Sequence, residues 1–332
     1  MTTTTREVLF EAQGTQPNFR YDVIQPLLQG RVAIEGATLR TTGATDVAGM
    51  WDNPKFQNGD FDLLDANWGD LVPSIDAGWD LKLLPVFIKR KPVYNYLWVR
   101  ADRGIESPKD LEGKTIGSVG YSSAISTYTR GFLQHHHGVD ITTFRWLLGA
   151  AGRLPVHERA ARIDIAEGPR KSPIDRLLEG EVDASTGDIT DAKAWVALEG
   201  SSYVKRLFPN YQELNRLLLA EHRILTPVHV VCIGGRLQRE DPDIARRLVE
   251  AFKRAEAVAM EDALSDGSGF SMTLHNREAM RDQVSNLGDA WRHGIEANQN
   301  TIGTFLDYNY EQGLTKARLS LDQVFAPGTL DS

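Results

Sequence analysis

The chain has 332 residues, of which 41% are hydrophobic and 25% are charged, with 29 Gly and 14 Pro. This composition is typical of a globular protein, and it excludes collagen-like, low-complexity and largely disordered classes. At about 150 residues per domain, the length predicts about two domains, with a core large enough to need no disulfide. Cys232 is the one cysteine, so no disulfide can form within the chain.

The charge balance argues against a nucleic-acid-binding protein, because 37 Lys and Arg against 45 Asp and Glu give a net charge of −8. Residues 1–6 contain no apolar segment typical of a signal peptide. No apolar run reaches the ~18 residues that a membrane-spanning helix needs. We therefore predict a cytoplasmic protein without membrane insertion, or a periplasmic one if a signal sequence is missing.

Strand-like runs alternate with amphipathic helical stretches, which is typical of an α/β protein. In the first hundred residues we predict strands at 31–34, 38–41 and 61–64. Two further runs, 81–87 and 94–99, are predicted to form a strand pair.

One helix-start pattern occurs three times in the rest of the chain. Ser107-Pro108 and Ser172-Pro173 each place a capping serine before a proline at the first helical position. Asp241-Pro242 uses an aspartate in the same way and starts a predicted helix with one apolar face, formed by Ile244, Leu248, Phe252 and Ala255. The other predicted elements are strands at 114–119, 181–185 and 227–233, a helix that opens at 120–123 and ends near Gln134, and a mainly helical C-terminal third.

No catalytic motif is complete. Gly120-Tyr121-Ser122 lacks the last glycine of a hydrolase nucleophile elbow, so Ser122 is interpreted as a helix-start residue. Residues 135–137 are three consecutive histidines, whose side chains point about 100° apart on a helix and cannot share one metal ion. We interpret them as a solvated helix end before Gly138, and we predict no intrinsic metal.

Polar residues at predicted strand ends are the candidate ligand-binding groups. In open α/β sheets, ligands bind beyond the carboxyl ends of the strands and against helix N-termini. The candidates are Asp65, Asn67 and Trp68, Lys89 and Arg90 in a predicted turn, Gly120, Tyr121, Ser122 and Ser123, Asp188, and His229 inside an apolar strand. Together they suggest an anion-binding cleft. Singly, Asp65 is also explained as a helix cap, Lys89 and Arg90 as a solvated turn, and His229 as a satisfied core histidine.

Several segments resemble known proteins. Residues 107–117 and 178–184 resemble the type 2 periplasmic-binding-protein fold. More narrowly, nearly everything after residue 18 resembles the 4,5-dihydroxyphthalate decarboxylases and their relatives. The matching segments are 21–22, 27–32, 85–87 with Arg90, 129–134, 206–210, 227–229, 294–298, 310–314 and 325–327. The most specific pair is Glu-Ala-Asn at 296–298 and Tyr-Glu-Gln-Gly-Leu at 310–314.

This resemblance implies two α/β lobes joined by two crossing strands, with a central ligand cleft. Lobe one would hold residues 1–100 and 225–332, and lobe two residues 101–224. Tyr21, Asp22, Tyr94 and Glu296 then join the candidate binding residues.

The resemblance also implies a cofactor-independent decarboxylase, a carbon–carbon lyase, acting on a hydroxylated aromatic acid such as 4,5-dihydroxyphthalate. A general acid would protonate the ring carbon that bears the carboxylate. In this hypothesis Arg90, helped by Lys89, holds an acidic group of the ligand, and Ser122 and Ser123 hold a second oxygen. His229 transfers the proton, and Asp65 or Glu296 orients His229 or acts as the base. The aromatic side chains that flank the ring are Trp68, Tyr94 and Tyr121.

The chain departs from the pattern of that family at the positions of Val93 and Tyr94, Gly120 and Ile189, where the resemblance implies an Arg-His pair, an acidic residue and an arginine. The departures suggest a different, less charged substrate. Two alternatives therefore stay open: a non-catalytic substrate-binding protein of an ABC importer for an aromatic or other small organic anion, or another enzyme on the same scaffold. A homo-oligomer is compatible with the sequence.

Overall fold

The described strands form two mixed six-stranded sheets and a separate two-stranded pair of β2 and β3, with helices packed around the two large sheets. The computed structural model describes residues 5–12, 15–16, 19–43, 52–149, 154, 156–160, 162–167, 171–187, 189, 191–265, 275–288 and 291–332. The strands are β1 Arg6–Ala12, β2 Thr15–Gln16, β3 Phe19–Arg20, β4 Ala37–Gly43, β5 Leu63–Asn67, β6 Leu81–Leu83, β7 Lys89–Arg90, β8 Leu97–Arg100, β9 Thr115–Ser118, β10 Arg145–Leu148, β11 Arg162–Ile165, β12 Ala184–Thr186, β13 Val204–Arg206 and β14 Pro227–Gly234. The α-helices are α1 Gln25–Leu28, α2 Pro54–Gln57, α3 Trp68–Asp76, α4 Ala124–His137, α5 Pro173–Leu178, α6 Ala192–Gly200, α7 Tyr211–His222, α8 Gly235–Glu240, α9 Ile244–Leu264, α10 Asn276–Leu287, α11 Gln299–Glu311 and α12 Leu321–Val324. Short 3₁₀ helices lie at Asp22–Ile24, Val93–Tyr96, Ala101–Arg103, Pro108–Leu111, Ile141–Thr143 and Glu296–Asn298.

The first sheet has the order β4-β1-β5-β14-β6, and β7 also pairs with β14. Strand β1 is parallel to β4 and β5, whereas β14 runs antiparallel to β5, β6 and β7. The carboxyl end of β5 therefore lies beside the amino end of β14. Asp65 and Asn67 come from the first of these ends and His229 from the second, so the topology brings three predicted site residues to one edge.

The second sheet has the order β11-β10-β9-β12-β8-β13. Strands β9 to β12 are parallel, and β8 is antiparallel to both β12 and β13. The strands of the first sheet come from 6–90 and 227–234 and those of the second from 97–206. We call these two sheets with their helices lobe one and lobe two.

Helix α9 shows how the sequence pattern becomes packing. Ile244, Leu248, Phe252 and Ala255 recur at the three- and four-residue spacing of one helix face. All four are fully buried in the core that α9 forms with β1, where the Phe252 ring lies edge-on to Phe10 with centroids 6.0 Å apart. The predicted buried face of this helix is confirmed.

Several predicted elements are confirmed and others are wrong. Strands at 38–41, 114–119 and 227–233 are confirmed as β4, β9 and β14, and the helix opened at 120–123 is α4. The run at 31–34 is not a strand, because Ile34 makes only an isolated bridge to Ala37.

The predicted pairing of 81–87 with 94–99 is wrong. The first run contributes the three-residue strand β6 to lobe one, and the second contributes β8 to lobe two. Residues Val93–Tyr96, directly before β8, form a 3₁₀ helix. Both runs are apolar because each is buried, and local apolarity does not say which sheet a strand joins.

A continuous apolar core joins the two lobes through α3, α4 and α11. The Trp68 ring stacks on Phe305 at 3.9 Å between centroids, and Tyr128 lies 4.8 Å from the same Phe305 ring. Gly131 allows α4 and α11 to pack closely, because a Cβ at this position would lie 2.0 Å from the Tyr308 ring. The lobes are thus packed on each other as well as connected by the chain.

Within the described part of the chain, no helix combines the length and the apolarity needed to span a membrane.

Candidate functional site

The centre of the candidate site is a contact between two buried, ionisable side chains. Nδ1 of His229 forms a hydrogen bond to Oδ1 of Asp65. The Asp65 side chain is fully buried and that of His229 is 7% exposed. The Asp65 carboxylate therefore holds Nδ1 of the His229 ring at the edge of the sheet. We call these two residues the Asp65–His229 pair.

Strand extension, rather than helix capping, explains the position of Asp65. We predicted a strand that ends at Leu64, but β5 continues to Asn67, and Asp65 pairs with Val231 of β14. The helix cap is Asn67, whose Oδ1 accepts from the Gly69 N–H at 3.0 Å. An aspartate inside a buried strand requires a partner, and His229 provides it.

Lys89 lies opposite His229 in the antiparallel pair of β7 and β14. The register of these strands shifts between Pro227 and His229, and the pairing places the backbone of Lys89 beside that of His229. We predict from the sequence that Lys89 and Arg90 lie in a turn between apolar strands, with anion binding and a solvated turn as the two alternatives. They instead form strand β7, and both are only 6% exposed.

Arg90 holds separate segments of lobe one together. Its Nη1 donates to the Leu225 carbonyl oxygen at 2.8 Å. Its Nη2 donates to the Asn298 Oδ1 at 2.7 Å and to the Arg292 carbonyl oxygen at 3.2 Å. The Arg90 guanidinium therefore anchors the Glu-Ala-Asn segment to Leu225, which lies just before β14.

His293, next to this anchor, makes the stability of the fold depend on pH. Its Nδ1 accepts from the Phe87 N–H at 3.3 Å, so the ring is neutral. Burial, with Arg90 and Lys253 nearby, lowers the pKa of His293 to about 3. An unfolded histidine has a pKa of about 6.5, so this stabilisation is complete above that pH and is lost as the pH falls towards the folded pKa.

We expect the free energy of unfolding to fall by about 1.4 kcal/mol per pH unit below about 6.5 through His293. Urea unfolding at several pH values measures this slope. His293→Asn keeps an acceptor for Phe87 and should flatten the slope, whereas His222→Asn, at an exposed position, should not. Equal slopes in wild type and His293→Asn would contradict the assignment.

The loop of residues 120–123 brings lobe two against lobe one. The Ala124 N–H donates to Asn67 Oδ1 at 3.0 Å, and the Ser122 hydroxyl donates to Asp70 Oδ1. Gly69 permits this approach, since a Cβ there would lie 2.0 Å from the Ser122 carbonyl oxygen. Ser123 is 5% exposed, and its hydroxyl has no hydrogen-bond partner in the described structure.

Arg130 and Gln312 hold this loop, and the sequence analysis assigned neither of them a role. Arg130 Nε donates to Gln312 Oε1 at 2.6 Å, and Arg130 Nη2 donates to the Tyr121 carbonyl oxygen at 2.6 Å. Gln312 Nε2 donates to the Thr127 carbonyl oxygen at 2.9 Å. Burial lowers the pKa of Arg130 to about 10, so it stays charged at neutral pH. Both residues lie in segments that carry the resemblance, which was the available signal.

The predicted aromatic residues are core residues in this structure. Trp68 is fully buried between Phe305 and Phe87. Tyr121 is 3% exposed, and its hydroxyl donates to the Gln312 carbonyl oxygen at 3.2 Å. Tyr94 packs between Phe132 and Phe208, and burial raises its pKa to about 12.

The remaining predicted site residues are dispersed. Tyr21 is buried in the core of β1 and α9, and the adjacent Asp22 is exposed. Glu296 is exposed, and its N–H donates to the Ser332 carbonyl oxygen, so it is not part of the Asp65–His229 pair. Gly120 is half-buried at the start of the loop. Asp188 lies outside the described residues.

The triple histidine ends α4 as predicted, with Gly138 at φ +63°. His135 contacts Glu311 and His137 contacts the Tyr94 hydroxyl, so the three rings point to different neighbours. In the ranges that the structure describes, no group of three or more His, Cys, Asp or Glu is arranged to hold a metal ion.

Sequence comparison identifies relatives along nearly the whole chain. The chain is 28% identical to the 4,5-dihydroxyphthalate decarboxylase of Comamonas testosteroni over 331 residues, covering 94% of this chain and 96% of that protein. It is 29% identical over 180 residues to the 4,5-dihydroxyphthalate decarboxylase of Pseudomonas putida, covering 50% of this chain and 67% of that protein. The NMT1/THI5-like family model matches residues 67–146. The resemblance predicted from the sequence is confirmed.

Structure comparison confirms the predicted fold. The periplasmic sulfonate-binding protein of Methylobacillus flagellatus KT superposes with a TM-score of 0.57 at 14% identity, covering 98% of this chain and 93% of that one. The alkanesulfonate-binding protein of Xanthomonas axonopodis pv. citri, bound to MOPS, superposes with a TM-score of 0.54 at 15% identity, covering 96% and 98%. At this identity the match shows the type 2 periplasmic-binding-protein fold and no more.

Proposed function

Because this chain has the type 2 periplasmic-binding-protein fold and resembles the 4,5-dihydroxyphthalate decarboxylases along its length, we propose that it is a cofactor-independent decarboxylase of a hydroxylated aromatic acid. The observation that carries the proposal is the buried Asp65–His229 pair at the edge where the two lobes meet. The proposed ligand is a small aromatic anion, and the proposed compartment is the cytoplasm.

The pair suits a proton transfer from His229 Nε2. Histidine is a common general acid in catalysis, and a carboxylate on Nδ1 holds the imidazole ring in one orientation. In the proposed reaction, protonated His229 donates to the ring carbon that bears the carboxylate, while the hydroxyl para to that carbon supplies electron density. The carbon–carbon bond then breaks, CO2 leaves, its bonding electrons restore the aromatic ring, and His229 is reprotonated from water.

Lys89 and the 120–123 loop supply the groups that would hold the anion. Lys89 pairs with His229 across the sheet, so we assign it the carboxylate of the ligand, and Arg90 becomes a positioning residue that ties Leu225, before β14, to Asn298. The Ser123 hydroxyl, which has no hydrogen-bond partner in the described structure, would donate to a phenolic oxygen of the ligand.

The departures from the family pattern favour a second candidate function. In it the chain is a non-catalytic binding protein for a small organic anion, or another enzyme on this scaffold. Tyr94 is buried among aromatic rings and Ile189 is 7% exposed, so neither position supplies the charge that the family pattern has there. In this second candidate, Lys89 and the loop would hold the ligand and His229 would serve recognition.

Incubation with 4,5-dihydroxyphthalate tests the proposal directly. We expect one CO2 to be released for each 3,4-dihydroxybenzoate that is formed. The change in ring absorbance measures this conversion. Phthalate is the matched control, because it keeps both carboxylates and lacks the hydroxyl that supplies electron density. Thermal stabilisation by these acids without CO2 release would reject the decarboxylase and support the binding protein.

A further inference from the structure

A cavity of about 170 Å³ lies at the carboxyl edge of the second sheet, apart from the Asp65–His229 pair. Val119 follows β9 and Gly187 follows β12, and both contribute to its wall. The rim reaches solvent, since Val119 is 57% exposed. Pro173, Ile174, Ser185, Ile189, Asp191 and Ala194 also line the cavity.

The cavity lies on the face of the second sheet that is turned away from α4. The Thr186 hydroxyl bonds to that of Thr129 in α4 at 3.0 Å, so Thr186 points towards α4. Side chains alternate along a strand, and Ser185 therefore points to the opposite face, where α5 and α6 pack. The cavity is thus separated by strand β12 from the α4 side, where the 120–123 loop begins.

The size and chemistry of the walls match a single ring. An engineered apolar cavity of about 150 Å³ binds benzene, so this volume accommodates a monocyclic aromatic group. Ile174, Ile189, Pro173 and Ala194 supply apolar surface. Ser185 is 1% exposed, and its hydroxyl has no hydrogen-bond partner within the described chain. A buried hydroxyl without a partner is unusual, and a polar group on the ring would satisfy it.

The charge of the walls disfavours an anion. Asp191 is the charged side chain in the described lining, and its carboxylate would repel a ring carboxylate. Lys91 lies outside this lining, and its Nζ donates to the Ile189 carbonyl oxygen at 3.2 Å. An uncharged phenol-sized ring therefore fits better than a benzoate.

We propose that this cavity is a second binding site, which takes an uncharged phenolic ring and hydrogen-bonds its hydroxyl through Ser185. The inference goes beyond the proposed function and does not depend on it, because it needs only the walls of the cavity.

The test is a titration of the full chain, labelled at the isoleucine δ1 methyl groups, with 4-fluorophenol. We expect ring-current shifts at the methyls of Ile174 and Ile189 and none at Ile244, which is buried in the core of lobe one. Ala194→Phe should remove the shifts by filling the cavity, while unchanged signals elsewhere show that the variant folds. Shifts that are absent from wild type, or that persist in Ala194→Phe, would overturn the proposal.

Three further measurements test the separate parts of this proposal. Ser185→Ala should weaken 4-fluorophenol about three- to tenfold and leave fluorobenzene unchanged, the range expected for one hydrogen bond. Equal affinity for 4-fluorobenzoate and 4-fluorophenol would refute the preference for an uncharged ring. His229→Gln should leave 4-fluorophenol binding intact even if it abolishes turnover, so failure of the proposed reaction and failure of this site are separate results.

Discussion

His229→Gln should lower kcat for decarboxylation by about 10²- to 10⁴-fold, the usual contribution of a general acid. Glutamine can still donate to Asp65 but cannot deliver a proton near neutral pH. Substrate affinity should change far less, because Lys89 and the 120–123 loop hold the anion in the proposed complex. Steady-state kinetics, with a separate binding measurement by calorimetry, distinguishes the two effects.

His222→Gln is the matched control, since His222 is exposed at the end of α7 and contacts His136 at 4.8 Å between ring centroids. It should keep wild-type kinetics. Asp65→Asn tests the other half of the pair: an amide can hold the imidazole in the wrong tautomer, so kcat should fall although the fold keeps a hydrogen bond. Turnover within threefold of wild type in His229→Gln would contradict the role of the pair.

Gly69→Ala should destabilise the protein by about 1–3 kcal/mol, although alanine is the better helix former. A Cβ at position 69 would lie 2.0 Å from the Ser122 carbonyl oxygen and 2.7 Å from the Ala124 nitrogen, which are backbone atoms of the facing lobe. The added methyl group must therefore push the 120–123 loop away from α3. We expect a melting temperature lower by about 2–4 °C per kcal/mol and weaker ligand binding.

Gly303→Ala is the control, because Gly303 lies within α11 and a Cβ there meets open space. It should leave the protein equally stable or raise its stability by up to about 1 kcal/mol. If calorimetric melting gave Gly69→Ala the same stability as Gly303→Ala, the close approach of α3 to the loop would be refuted.

The predictions that succeeded rest on local signals. The Ser-Pro starts of the 3₁₀ helix at Pro108–Leu111 and of α5, and the buried stripe of α9, follow from capping chemistry and helix periodicity. The failures concern pairing: 81–87 and 94–99 were assigned to each other because both are apolar, and β5 was ended too early at Leu64. Strand partners depend on contacts far apart in sequence, and no residue within the run specifies them.

The predictions for the candidate site also separate into what residue chemistry indicates and what only tertiary contacts decide. Asp65, Lys89 and His229 were singled out by their chemistry, and the pairing of β5, β7 and β14 places them together. Arg90 was singled out for the same reason, but its guanidinium bonds to carbonyl oxygens and Asn298 inside lobe one. Residue type suggests what a group can do, and only its neighbours decide whether that capacity is directed at a ligand or at the protein.

The sequence by itself determined the α/β class, the resemblance over most of the chain, and the polar residues worth testing, because composition, capping patterns and residue chemistry are local properties. The tertiary structure decided that Asp65 meets His229, that Arg130 and Gln312 hold the 120–123 loop, and that lobe two contains a phenol-sized cavity. The two side-chain contacts join segments that are more than a hundred residues apart in the sequence, and the cavity is a volume left between packed elements. Both depend on the pairing of β14 with β5 in the first sheet and on the packing of the helices of the two lobes.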